Sequence, residues 1–480
     1  MNGRLVLKCV VVCTVSALAF VASASAQWSG SIVVSRAVEP TSGVIPPGFS
    51  TARCGNNVVV GFGDSEPGNT NSRAGYSVST DSGRSFRDLG VLPVSTQDSG
   101  YGPDAIYGQI FSVACGDSNH FYYAAPFIAS NFPAGFNCDP ICVAISISTS
   151  KDGGTSWGLP QIVAASYFDT HEIDSPSIAV DPTNPLRLYV AYLDQNFIGP
   201  FDYVFPDCEG SGAEELRVVS SSDGGATWTP HVVDHVCETS TDPEKTGLFA
   251  APKVLVSPGG KVYVAYAFHP FPPIGGAASA SNEIRFTRSV DQAATFSTPI
   301  VVSTTAIDNA SPFLAVDRTN RFNRGEIYLT WAGSQSGTHT DILVSDSTSF
   351  GASFSFPRPI SPAPAAGAGR FQTEPVLSVD NDGQVASCYY ETPTNSPTSN
   401  SVFSYNCATS FNHTATWQTQ HILSPVPVFL TPQTGFGGGK ILGLAGLASD
   451  FLLGADGFFT AFELDHSGTR WVVGRKSDAD

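Results

Sequence analysis

One eight-residue pattern recurs along this 480-residue chain and limits its fold more than any other feature. It reads Ser, any residue, Asp, any, Gly, any, Ser or Thr, then Trp or Phe. Complete copies run Ser79–Phe86, Ser150–Trp157 and Ser221–Trp228. Three eroded copies follow. Ser289–Phe296 keeps Asp291 but has Ala293 at the glycine. Ser347–Phe354 keeps Gly351 but has Ser349 for the aspartate. Ser410–Trp417 has Asn412 and Thr414 at the two places. The closing aromatics fall at 86, 157, 228, 296, 354 and 417. A period of roughly 60 to 70 residues marks internal repetition of one supersecondary unit.

The residue types state what the unit does. The Asp carboxylate accepts hydrogen bonds from the backbone N–H groups of a tight reversal. Gly supplies the positive φ that the reversal needs. The terminal aromatic opens the next strand and buries its ring between neighbouring sheets. With these residues the chain resembles the Asp-box (BNR-repeat) propellers, the sialidase-like superfamily. The resemblance covers essentially the whole of residues 27–480. It implies that Asp81, Asp152 and Asp223 are scaffold, on the face away from an active site.

A second repeat precedes each box. Ser175-Pro176-Ser177-Ile178-Ala179-Val180-Asp181 leads to Leu188–Tyr192, and Ser311-Pro312-Phe313-Leu314-Ala315-Val316-Asp317 leads to Ile327–Trp331. A short apolar strand, a polar turn and a β-branched or aromatic strand make a hairpin. Related hairpins are Ser50–Phe62, Phe111–Ala125, Ala251–Phe268 and Glu374–Tyr390. A last unit spans Phe451–Leu464 and Arg470–Lys476, and Ser31–Arg36 is a spare strand at the other end. The expected fold is an all-β, seven-bladed propeller, with six blades as the alternative, closed by the N-terminal strand.

Residues 1–26 read as a signal peptide: Arg4 and Lys8, an apolar run from Val10 to Val21, and the exit Ala24-Ser25-Ala26. Residues 27–480 read as a single propeller domain. The expected location is secreted or periplasmic, with no membrane insertion and a monomeric state. The formal net charge is −18, which repels nucleic acid. An anionic partner would need a local cluster of positive charge. Eight cysteines remain beyond the signal segment, and an even count in such a compartment suggests disulfides. The blade arrangement pairs Cys54 with Cys115, and Cys388 with Cys407. Cys138–Cys142 and Cys208–Cys237 are the pairs left over.

In a propeller the loops entering the inner strands share one face with those joining the second and third strands. The long loops Pro126–Pro140, Asp194–Gly212, His269–Asn282 and Glu391–Asn400 belong there, and long loops on a rigid scaffold commonly bind ligands. The polar residues expected to ring the axis are Asp104, His171, Glu172, Asp174, Asp242, Glu244, Lys245, Asp308, Arg370 and Glu374. Such a rim suits acid/base work or Ca²⁺. No cofactor is otherwise expected. The resemblance implies a carboxylate-clamping arginine triad, here Arg53, Arg285 and Arg370. It also implies a Tyr nucleophile (Tyr390, or Tyr389), a Glu base (Glu283) and an Asp acid (Asp104). The F/Y-R-I-P motif of that family is absent. The function expected is a sialidase-like glycoside hydrolase releasing a terminal sugar. The alternatives are a non-catalytic propeller that binds glycan or protein, and a polysaccharide lyase or other glycosidase on the same blades.

Overall fold

The computed structural model describes residues 27–28, 32–35, most of 50–421, and 445–449, 458–466 and 469–478. The expected signal segment, 1–26, lies outside these. All the regular structure among them is strand apart from short turns.

Two short strands come first, β1 (Gln27–Trp28) and β2 (Ile32–Ser35). Six blades of consecutive antiparallel strands follow. Blade one is β3 (Ser50–Cys54), β4 (Asn57–Asp64), β5 (Arg73–Ser79) and β6 (Arg87–Val91). Blade two is β7 (Ile106–Tyr107) and β8 (Ser112–Cys115), which share the inner place, then β9 (Phe121–Ala129), β10 (Cys142–Ser150) and β11 (Gln161–Tyr167). Blade three is β12 (His171–Asp181), β13 (Asn184–Asn196), β14 (Ala213–Ser221) and β15 (Thr229–Cys237). Blade four is β16 (Gly247–Val256), β17 (Val262–Pro270), β18 (Glu283–Ser289) and β19 (Ile300–Ser303). Blade five is β20 (Phe313–Val316), β21 (Ile327–Gly333), β22 (Asp341–Ser347) and β23 (Arg358–Pro359). Blade six is β24 (Phe371–Val379), β25 (Val385–Thr392), β26 (Ser404–Ser410) and β27 (Gln418–His421).

A seventh sheet is a composite of the two chain ends. In it β28 (Ala445–Ser449), β29 (Phe458–His466) and β30 (Thr469–Asp478) pair in sequence, and β1 and β2 both pair with β30. β28 lies against β24 on one side and β3 on the other, so this sheet sits between blades six and one. The blades built as consecutive units on an Asp-box turn therefore number six, the alternative count. The composite closing sheet has the strands of a repeat without a box turn, and this is why the sequence suggests a seventh blade.

The turns behave as their residues require. Asp223 Oδ1 accepts from Thr227 N at 2.9 Å, and Asp223 Oδ2 accepts from Thr227 Oγ1 at 2.6 Å. Ser221 Oγ accepts from Gly225 N at 2.9 Å. The Thr227 hydroxyl, then its N–H and Ser221, pull the Asp223 carboxyl down to about 2. Eroded copies keep the geometry with weaker acceptors: Asn412 Oδ1 accepts from Thr416 N at 2.9 Å, and Ser349 Oγ from Ser353 N at 3.0 Å. Ala293 and Thr414 adopt the glycine's conformation, with φ of 71° and 62°. The three complete boxes also bond the turns of their own inner hairpins. Ser82 N donates to Asn56 O, Gly153 N to Asn119 O and Gly224 N to Leu186 O, at 2.8–2.9 Å. Both turn types thus share one face, and the remaining connections share the other.

The core is a ring of interfaces between blades. Tyr76 and Tyr123 hold the box aromatic Trp157 edge-on, each with ring centroids 5.8 Å from it. Phe354 meets Phe286 of the preceding blade at 4.9 Å. Gly154 has a φ of +88°, and a Cβ there would lie 2.3 Å from Val59 Cγ2 of blade one. Gly90 has a φ of +85° with nothing within 4 Å of such a Cβ. Gly90→Ala should therefore cost only backbone strain, about 1–2 kcal/mol. Gly154→Ala should cost about 2–4 kcal/mol, because overpacking adds to strain. Paired thermal melts of the two variants check this order.

The inner strands carry two further regularities. In blades three, four and six a bulge places a non-glycine residue before proline at positive φ: Ser175 (55°), Ala251 (47°) and Glu374 (52°). Serine hydroxyls also link one inner strand to the next. Ser50 Oγ accepts from Val113 N at 2.8 Å, Ser112 Oγ from Ile178 N at 3.0 Å and Ser177 Oγ from Val254 N at 3.1 Å. This girdle runs from blade one to blade four. Disulfides join Cys54 to Cys115 and Cys388 to Cys407, the pairs that the blade arrangement implies, and Cys208 to Cys237, a pair left over by it. Cys142 is also disulfide-bonded, and its expected partner Cys138 lies outside the described residues.

Candidate functional site

The face opposite the boxes receives the starts of the first and third strands of each blade and the ends of the second and fourth. On blade three this end carries a connected set of charged side chains. Asp194 on β13 stands opposite Glu215 on β14, and Glu215 stands opposite His235 on β15. Tyr192 stands opposite Arg217. Period-two alternation then puts Asp194, Glu215, Tyr192 and Arg217 on one face of the sheet. His171, at the start of β12, completes the set. Its Nδ1 lies 2.7 Å from Asp194 Oδ1. A proton on Nδ1 donates to that carboxylate and leaves Nε2 as an acceptor. Arg217 bridges the carboxylates, with Nε 3.5 Å from Asp194 Oδ2 and an ion pair to Glu215.

The environment separates these groups. Burial raises the Glu215 carboxyl above its ordinary value, and Arg217 opposes the rise. Burial also raises the Tyr192 hydroxyl, again against Arg217. Two carboxylates in unlike surroundings, an imidazole oriented by one of them and a guanidinium between them form an acid/base constellation.

The expected site residues take several places. Glu283 and Arg285 come together at the start of β18, with Arg285 Nε 2.8 Å from Glu283 Oε2. Arg285 also lies 3.8 Å from Asp234 of blade three and 3.7 Å over the Phe268 ring. Arg370 sits just before β24, buried, paired with Asp341 of blade five and donating to Pro362 O at 2.5 Å. Tyr390 is fully buried beside Tyr405, with centroids 4.9 Å apart. Tyr389 is equally buried, its hydroxyl 2.8 Å from Ser361 Oγ. Arg53 falls at the box end of β3, one residue before Cys54, and donates to Gly55 O at 3.3 Å. The immediate turn at Gly55-Asn56 is the reason: it sets Arg53 at the opposite end of its strand from Arg370. The three arginines share no contact among the described residues. Asp104, Glu244 and Asp308 lie outside those residues.

Of the expected rim, His171 belongs to the blade-three set and Glu374 lies on an inner strand. Asp194, Glu215, Arg217 and Tyr192 were not singled out from sequence beyond Asp194 opening a long loop. Their signal was the pair Glu215 and Arg217 at i, i+2 inside the strand AEELRVVSS. No group of three or more His, Cys, Asp or Glu is arranged to hold a metal among the described residues. No helix among them is long and apolar enough to cross a membrane.

Glu374 is 5% exposed. Burial raises its carboxyl to about 8, against the pull of Lys253. The folded protein thus holds a proton that the unfolded chain, with an ordinary value of 4.5, releases. Its stabilising contribution is complete below about pH 4.5 and is lost as pH rises to about 8, at up to about 1.4 kcal/mol per pH unit. Glu374→Gln should remove that decline. Thermal melts of both proteins from pH 4.5 to 8.5 test it, and parallel curves would refute it.

No family model matches the chain, and no curated protein matches it. Solved structures do. An ulvan lyase of a polysaccharide lyase family covers 93% of this chain and 96% of its own, at 11% identity and a TM-score of 0.52. A leech intramolecular trans-sialidase covers 83% and 71%, at 12% identity and a TM-score of 0.48. An α-L-arabinofuranosidase from Fusarium graminearum covers 79% and 97%, at 12% identity and a TM-score of 0.46. At such identities the likeness is one of fold: the chain is a β-propeller.

Proposed function

We propose that the protein is an extracytoplasmic, glycan-directed enzyme whose acid/base chemistry sits at the loop end of blade three. The observation that carries this reading is the cross-strand pair Asp194 and Glu215, bracketed by His171 and Arg217. Glycoside hydrolysis needs one carboxyl that gives a proton to the leaving oxygen and a second carboxylate. Glu215, raised by burial, takes the first role. Asp194, bonded to His171 and Arg217, takes the second. The sialic-acid form of the reading needs Arg53, Arg285 and Arg370 around one carboxylate, with Tyr390, Glu283 and Asp104. The placement of Arg53 weighs against it. Disulfides fit an oxidising compartment, and the glycan-processing enzymes that share the fold support a glycan partner.

A second reading is favoured by His171. An imidazole with Nδ1 anchored on Asp194 and Nε2 as acceptor suits removal of a proton beside a sugar carboxylate, with the Tyr192 hydroxyl as acid. That is lyase chemistry. One assay separates the readings. The secreted protein is incubated with neutral, uronate-containing and sialylated glycans. Hydrolysis yields saturated reducing ends, whereas elimination yields an ultraviolet-absorbing unsaturated sugar. Release from none of the glycans would refute both.

A further inference from the structure

The serine girdle stops at blade four. The place held by Ser112 and Ser177 in blades two and three is held there by Lys253, the residue before Val254. The Lys253 ammonium lies 5.2 Å from the centroid of Phe313, on the inner strand of blade five. Glu374 follows on the inner strand of blade six. The two are close enough for each to act on the other's charge. Neither side chain makes a hydrogen bond or a salt bridge among the described residues. Buried polar groups are ordinarily hydrogen-bonded, so two side chains left without such a partner call for an explanation. Glu374 is also held at a φ of 52° before Pro375, as Ser175 and Ala251 are at the matching bulges of blades three and four, so the backbone fixes where its carboxyl sits.

A lysine and a carboxyl kept only for packing would close into a direct hydrogen bond. Phe313 instead lies between the two inner strands, and Lys253 keeps part of its surface accessible. Resting on the glycan reading above, we propose that this inner-strand site binds the carboxylate of an acidic sugar between Lys253 and Glu374. The ammonium supplies the counter-charge and up to three donors. The Glu374 carboxyl, protonated at neutral pH because burial raises it, supplies a second donor. In a chain of net charge −18, such a site is the local positive feature that an anionic sugar needs.

The test is equilibrium binding, by calorimetry, of glucuronate, glucose and inorganic sulfate to the intact secreted protein. Glucuronate is expected to bind at least about tenfold more tightly than glucose or sulfate. Lys253→Met should abolish that preference. Glu374→Gln, which keeps a donor, should hold it to within about threefold. Equal affinities, no binding of either sugar, sulfate binding as well as glucuronate, or a preference that survives Lys253→Met would each overturn the proposal. The wild-type comparison decides even if Lys253→Met does not fold. Repeating it on Glu215→Gln protein separates failure of binding from failure of the cleavage chemistry.

Discussion

Glu215→Gln should lower kcat by about 10²–10⁴-fold while KM changes little, the size expected when a general acid is lost. The amide fills the same volume between Asp194 and His235 and still bonds across the sheet, so the fold should hold. It has no proton to give to a leaving oxygen. In the wild-type protein the alkaline limb of the kcat profile should reflect a carboxyl raised by burial. The variant should lose that limb along with its rate. His171→Ala is the companion measurement. In the hydrolase reading it disturbs only the anchoring of Asp194, and its effect should be the smaller of the two. In the lyase reading it removes the base, and its effect should be the larger. A Glu215→Gln enzyme of unchanged kcat would move the chemistry away from blade three.

Arg370→Ala should destabilise the protein by about 3–5 kcal/mol, the usual cost of leaving one partner of a buried ion pair uncompensated. Arg370 and Asp341 are both largely buried and come from adjacent blades. The guanidinium also holds Pro362 O, so the mutation strips donors from the buried Asp341 carboxylate and from that carbonyl. Asp341→Asn keeps a side-chain oxygen as acceptor for Arg370 but leaves the guanidinium charge uncompensated, so it should be destabilising as well. A double-mutant cycle on thermal or urea unfolding measures the coupling. A loss below about 1 kcal/mol in Arg370→Ala would show the pair to be solvated and would return Arg370 to the substrate-binding candidates. Either result bears on activity assays, where a destabilised Arg370→Ala protein could be mistaken for a catalytic mutant.

Much of the scaffold was legible because its determinants are local. Ser221, Asp223, Gly225 and Thr227 fix their turn within seven residues, and the turn repeats. The same repetition put Cys54 beside Cys115, because equivalent places in neighbouring blades are close in space. Cys388 and Cys407 were readable as cross-strand partners, and the register pairs them directly. The site was harder to read. Asp194 and Glu215, distant in sequence, meet only through the register of β13 on β14. Alternation alone marks Glu215 and Arg217 as sharing a face, without saying what lies opposite. Arg53 shows the converse difficulty. Its residue type suggested a clamp, yet the Gly55-Asn56 reversal beside it fixes which end of the blade it occupies. The blade count went astray because the composite sheet has the strands of a repeat without a box turn.

That composite sheet has a consequence for how the molecule is made. β1 and β2 pair with β30, and Gln27 stands opposite Asp478. A growing chain produces its first strands hundreds of residues before their partner exists. Until β30 arrives, the ring has a seam, and the hydrogen-bonding edges on either side of it are open to other chains. Closure is thus the longest-range strand pairing among the described residues and carries a correspondingly large loop-closure entropy. The propeller behaves as a clasp fastened last, and anything that delays or clips its final strand leaves six assembled blades with an unlocked edge.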